Sequence, residues 1–299
     1  MLISSVAIAV LLTQAQTPTP RTGAPQTDET VTVQRGARLV VNNFAGDIVV
    51  HTWDKDAVHV VARHQARTRV SVRPTPATVS ISAASSMGPA GSVDYDITAP
   101  AWMPVRIEGT YNLVSVDGVQ GEIYANTLRG DVLIKGAAGA VTAKSVEGEV
   151  RIEGARGKVN ASSVNEKVVV ADTSGDVMAD SINGAITISG SQSKSVDVST
   201  VNGNITFEGK IADGGHYSFD THNGNILVAV ADTVNATFAI RTYEGGFSSE
   251  LPLQGVSRAD LHHGRRVTSA LGTGSADVNL ETFGGAIRLR RGPAPGVGR

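Results

Sequence analysis

Stepping by nine from Val105 lands on Val114, Ile123, Val132, Val141, Val150, Val159, Val168, Val177 and Ile186, so that every position in the series is Val or Ile. The positions two further on alternate in size. Ala125, Ala143, Ala161 and Ala179 form one series, and Ile134, Ile152, Val170 and Ile188 form the other. Two residues beyond these, Thr127, Ser145, Ser163 and Ser181 alternate with Gly136, Gly154, Asp172 and Gly190. The repeating unit is therefore eighteen residues, made of two unlike nine-residue strands. Within each strand the apolar positions are two apart, which is the strand period and not the helix period. A pair of short strands cannot bury its inner face alone, but a stack of such pairs can. The pattern predicts an all-β chain, a β-solenoid of stacked two-strand coils, each coil hydrogen-bonded to the next at about 4.8 Å.

Most half-coils end at a Gly beside a polar residue, as at Gly121-Glu122, Gly148-Glu149, Gly175-Asp176 and Gly203-Asn204. Glycine reaches positive φ without a Cβ clash, which suits a corner. Asn165 stands before Glu166, while Asn183, Asn202 and Asn223 stand before Gly184, Gly203 and Gly224. In a stack these amides fall near one another and can hydrogen-bond from coil to coil. Asn is also a good turn residue in its own right. Both readings are structural, and neither gives a catalytic residue.

After Ile186 the beat loosens to Val196, Ile205, Tyr217, Ile226, Phe238, Phe247, Val278 and Ile287, with a break over about 250–275. Upstream, Leu39, Val41, Ile48 and Val50 fit the same frame, whereas the strands between 58 and 104 alternate without it. The expected organisation is an N-terminal non-repeat β region over 31–104 acting as a cap, the solenoid over 105–291 and a tail over 292–299. The six Phe fall on inward or corner phases, which predicts core positions rather than a ligand platform. Aromatics are absent from inward phases between Ile123 and Ile188, so the second half of the rod should be thicker.

The apolar run over residues 2–12 is too short for a membrane span, which needs about 20 residues. Thr13 and Ala15 stand at the −3 and −1 positions of a cleavage site. Residues 1–15 read as a signal peptide. Residues 16–30, with Pro18, Pro20 and Pro25, read as a linker. The mature chain is expected to be exported to the periplasm or cell surface, with no integral membrane segment.

Composition removes several functions. A net charge of −2 lacks the basic surface that nucleic acid requires. With no Cys there are no disulfides, thiolate zinc sites or cysteine nucleophiles.

Several segments occur in a telling order: the opening stretch over 39–48, Trp53-Asp54-Lys55-Asp56, Val93–Pro100, the Asn-Gly corners, Leu271-Gly272-Thr273-Gly274, and the stretch over 278–282. Together they resemble the bacterial putative-adhesin family of β-strand-repeat proteins, an exported domain of unknown function. The resemblance spans about residues 30–291. It implies an exported, all-β, solenoid-like protein and supplies no catalytic residues and no cofactor.

The sequence holds no G-x-S-x-G, P-loop, H-E-x-x-H or G-x-G-x-x-G. The G-G-x-G-x-D corner of calcium-binding rolls is also missing. Asp180, Asp197 and Asp220 make one acidic spot on an outward face, a weak binding face at most. The expected function is a non-enzymatic, adhesin-like binding or scaffold protein of the envelope. Its partner would be an envelope or extracellular polysaccharide or protein. The alternatives are a polysaccharide-active enzyme and a self-assembling filament.

Overall fold

The computed structural model describes residues 27–253 and 264–292, except 87, 89 and 232. The expected signal peptide, most of the linker, part of the 250–275 break and residues 293–299 of the tail lie outside the described residues.

The chain opens with β1 (Thr27–Thr32), β2 (Arg38–Ala45), β3 (Ile48–Trp53), β4 (Ala57–His64), β5 (Thr68–Pro74), β6 (Thr78–Ser85) and β7 (Val93–Pro100). Regular coils follow as pairs. These are β8 (Val105–Tyr111) with β9 (Val114–Asp117), β10 (Ile123–Arg129) with β11 (Val132–Lys135), and β12 (Val141–Glu147) with β13 (Val150–Glu153). Next come β14 (Val159–Ser163) with β15 (Val168–Ala171), and β16 (Val177–Ser181) with β17 (Ile186–Ser191). Then come β18 (Ser195–Thr200) with β19 (Ile205–Gly209), and β20 (His216–Thr221) with β21 (Ile226–Val230). The chain closes with β22 (Ala236–Thr242), β23 (Phe247–Ser249), β24 (Val267–Leu271), β25 (Ala276–Thr282) and β26 (Ile287–Arg291). No helix long and apolar enough to cross a membrane occurs among the described residues.

The strands form two 13-stranded sheets, one on each side of a shared core. The first runs β1-β4-β7-β3-β9-β11-β13-β15-β17-β19-β21-β26-β23, and the second runs β24-β22-β25-β20-β18-β16-β14-β12-β10-β8-β2-β6-β5. In the middle the pairing is parallel and in strict register. Ile123 aligns with Val141, Ala125 with Ala143 and Thr127 with Ser145, so like stacks on like at the eighteen-residue step. Val and Ile at these positions are fully buried, as are the alternating Ala143, Ala161 and Ala179. Small residues from one sheet thus meet the larger Ile134, Ile152 and Ile188 of the other, which fills the space between sheets without overpacking. In the second half, Phe207, Tyr217, Phe219 and Phe238 take the same inward positions. The Phe207 ring lies 5.2 Å from Phe219 and 5.9 Å from Tyr217.

Sequence order and stack order part company at both ends. The β2–β3 coil lies between β8–β9 and the β6–β7 layer. At the other end β25–β26 lies between β20–β21 and β22–β23. The terminal strands also reverse direction: β1 on β4, β5 on β6 and β24 on β22 are antiparallel. A reversed strand with Arg69, Arg73 and Pro74 on it, as in β5, is a poor template for another parallel coil.

The corner glycines follow a different rule from the one expected. Gly203 and Gly224 do not have positive φ. A Cβ on Gly224 would lie 1.8 Å from the carbonyl oxygen of Gly203 in the adjacent coil. Glycine is needed there because the backbones of successive coils approach too closely for any side chain. In this corner row Gly46 (107°) and Gly130 (121°) have positive φ, while the opposite corners hold it at Gly136 (61°), Gly154 (69°) and Gly190 (61°), with Asp172 (53°) in the equivalent place.

Candidate functional site

Inward hydroxyls at the ends of several second-sheet strands tie coil to coil. Ser145 Oγ donates to the Gly130 carbonyl at 3.0 Å and Ser163 Oγ to the Gly148 carbonyl at 2.9 Å. Thr200, Thr221 and Thr282 repeat the contact on the carbonyls of Gly184, Gly203 and Gly224. The hydroxyls thereby satisfy carbonyls that a tight corner would otherwise leave buried and unpaired.

Outside these hydroxyls runs the amide row. Asn183 Nδ2 donates to Asn165 Oδ1 at 2.9 Å, Asn202 to Asn183 at 3.0 Å, and Asn223 to Asn202 at 2.9 Å. Gly184, Gly203 and Gly224 stand directly behind it. A second, shorter amide row lies at the start of the first-sheet strands, where Asn225 donates from its backbone N–H to Asn204 Oδ1 at 2.9 Å.

The structure separates the three aspartates. Asp180 and Asp220 both align with Ser199, two coils apart, while Asp197 is offset along the strand beside Met178 and Ser218. Each of the first two is held by a neighbouring hydroxyl, Ser199 Oγ donating to Asp180 at 2.6 Å and Ser218 Oγ to Asp220 at 2.9 Å. The acid that does sit beside Asp220 is Glu281, its partner in the next strand. Sequence reading missed it because it is 61 residues away. Burial pushes the Asp220 carboxyl above its ordinary range; the Ser218 hydroxyl opposes this, and the charges of Glu281 and Asp197 add to it. Glu281 itself lies within 3.4 Å of Arg241 and 3.8 Å of Arg266. Among the described residues, no three His, Asp or Glu come together so that they could hold a metal ion.

On the outer face of the first sheet the charges are paired within and between coils. Arg151 lies 2.7 Å from Glu149 of its own coil, while Lys167 lies 3.1 Å from Glu149 and Lys135 3.6 Å from Glu153 across adjacent coils. Further along this face is a shallow groove of about 530 Å³. Asn204, Thr206, Asn225, Leu227, Arg288 and Arg290 line it, with Glu250 at its rim. Arg290 is drawn 3.6 Å from Glu250. Arg288 is exposed and makes no ion pair among the described residues. The groove therefore offers a free guanidinium and a row of amides beside apolar Leu227.

The last feature is apolar. Phe44, Leu128, Ile182, Val201 and Phe283 are 39–48% exposed, and all stand at one position, the last outward place of the second sheet before its corner. Val146 and Val164 fill the same row, half-buried, between Leu128 and Ile182. Phe44 and Phe283 are thus not core residues, contrary to the phase argument, because a corner position turns its side chain outward. The row ends in rings, with His222 stacked 4.9 Å from Phe283 and Tyr243 tilted against Phe283 at 5.2 Å.

A family model described as Toastrack DUF4097 matches residues 37–290 of the chain. Two solved structures are also matched. One is a "putative cell adhesion protein" from Clostridium sporogenes, 10% identical, with 89% of this chain and 99% of that chain covered at a TM-score of 0.23. The other is a "putative adhesin" from Bacteroides fragilis, 14% identical, with 88% and 96% covered at a TM-score of 0.40. No curated protein matches the sequence.

Proposed function

Because the chain belongs to the Toastrack DUF4097 family, whose fold is a β-solenoid, we propose that it is an exported, adhesin-like, non-enzymatic solenoid of the bacterial envelope. It binds an envelope or extracellular macromolecule along its flat outer faces. The observation that carries this reading is the groove on the first sheet, where Arg288 stands unpaired among Asn204, Asn225 and Thr206. A guanidinium beside fixed amides suits a chain of hydroxyls and carboxylates, so an acidic polysaccharide is the favoured ligand class. An acid–base pair poised for glycoside cleavage would instead place two carboxylates about 5–10 Å apart across a cleft. The groove carries Glu250 alone, already beside Arg290.

The test is a binding isotherm of the purified protein with uronic-acid polysaccharides and their neutral counterparts. Saturable binding to the acidic chains, weakened about tenfold or more by Arg288→Ala, supports the reading. Equal binding by the variant contradicts it. Export is read separately by N-terminal sequencing of the protein made in a bacterium. Cleavage near Ala15 supports export, and a retained Met1 contradicts it.

A further inference from the structure

The apolar row beside the second-sheet corner is the largest unexplained surface of the molecule. Its residues are level with one another coil by coil: Leu128 with Val146, Val146 with Val164, Val164 with Ile182, Ile182 with Val201. Of the large hydrophobic side chains that are exposed among the described residues, all but Met178 lie in this row or within three residues of it. Phe44, Leu128, Ile182, Val201 and Phe283, with half-buried Val146 and Val164 among them, set apolar side chains along one line of the rod, interrupted by Thr110 and His222, and a contiguous exposed apolar patch marks an interaction site. At one end of the row His222 stacks on Phe283 at an interplanar angle of 14° and Tyr243 is tilted against the same ring, while at the other end Phe44 meets Tyr111 edge-on.

We propose that the occupant is a second copy of this chain, lying alongside in parallel and in register about a two-fold axis along the rod. The choice rests on the polar rows that flank the strip. On its sheet side each coil carries an outer residue, and on its corner side a residue three further on. A two-fold axis along the rod sets the outer residue of each coil opposite the corner residue of the same coil in the other copy. Lys144 then faces Glu147 of the partner subunit, and Arg241 faces Glu244 of the partner subunit. Asp180 and Asp220 face Asn183 of the partner subunit and Asn223 of the partner subunit, whose amides keep one hydrogen outside the ladder. Asn126 faces Arg129 of the partner subunit. No coil of the rod sets like charges opposite each other. An antiparallel pairing would bring outer row against outer row, where Glu108, Asp180, Asp220 and Glu281 outnumber Lys144 and Arg241. The strip with its two flanks is self-complementary, as a two-fold contact requires. The inference does not depend on the ligand reading, because the groove lies on the outer face of the other sheet.

The chain has no Cys, so single cysteines report the geometry directly. The purified protein is examined by sedimentation equilibrium up to about 100 µM, well above the micromolar range of weak specific association. A dimer is expected, and Ile182→Lys should weaken it at least about tenfold while leaving the thermal unfolding midpoint near that of the parent. Leu128→Cys and Val201→Cys, four coils apart, should each oxidise to disulfide-linked dimers, while Met178→Cys, exposed but off the strip, should not. A dimer that cross-links at neither end position overturns the parallel register. A monomer throughout overturns the proposal, including a monomer that sediments with phosphatidylethanolamine–phosphatidylglycerol vesicles through Ile182.

Discussion

The side-chain amide of Asn183 donates to Oδ1 of Asn165 at 2.9 Å, joining two residues that are eighteen apart in sequence and adjacent in the stack. Asn183 is also an acceptor, from Asn202 at 3.0 Å. Replacing it therefore removes two rungs of an exposed ladder, each worth about 0.5–1.5 kcal/mol net. Asn183→Ala should lower the unfolding free energy by about 1–2 kcal/mol in urea titrations, and Asn165→Ala, at the ladder's end, by about half as much. Equal losses would show that the residues act only as independent turn formers.

Ala161 lies fully buried between Ala143 and Ala179 in the second sheet, while the neighbouring Ser162 points outward. Ala161→Leu has no space to enter and should cost roughly 1–3 kcal/mol. Ser162→Leu should change stability by less than about 0.5 kcal/mol. Urea unfolding of the two variants reads the difference.

Asp220 holds its proton to higher pH in the native state than in the unfolded chain, because burial raises its carboxyl above the ordinary value of 3.8. Between 3.8 and the raised native value the native state binds more protons than the unfolded state. Stability therefore falls as pH rises through that window, and the cost of the buried charge persists above it. Asp220→Asn should flatten this slope just above pH 3.8 and leave the protein more stable than its parent at neutral pH. Urea midpoints across a pH series measure it.

Deleting residues 141–158 removes one whole coil, β12 and β13 with their corners. The coil starting at Ile123 then meets the coil starting at Val159, and each pairs equivalently with Val141 in the intact chain. Stability in such stacks is close to a sum of neighbour terms, so the shortened protein should still unfold cooperatively, with a proportionally smaller denaturant slope. A shortened chain without a cooperative transition would show that the coils are not interchangeable.

The middle of the rod was legible because its information is local. Val141, Ala143 and Ser145 each repeat eighteen residues later as Val159, Ala161 and Ser163, and the register follows that step. The ends were not legible. Tyr217 pairs with Val278 across 61 residues, and no period reports that β25 slips in ahead of β22. The groove escaped for the same reason, since it joins Asn204 and Asn225 to Arg288. The corner ladder was half legible. The alignment of the amides could be read, but the reason for the glycines was the carbonyl at 1.8 Å rather than φ. The apolar strip did leave a signal: a step of eighteen from Leu128 gives Val146, Val164 and Ile182, hydrophobic residues on a phase that alternation assigns to solvent.

Binding without chemistry is the activity expected of this protein. The direct measurement incubates the purified protein with a panel of envelope and extracellular polysaccharides and records both bound ligand and released fragments. The expected result is saturable binding with no product formed, reduced by Arg288→Ala and scarcely changed by Asp180→Ala or Asp220→Ala. Fragment release that a single carboxylate substitution abolishes would contradict it.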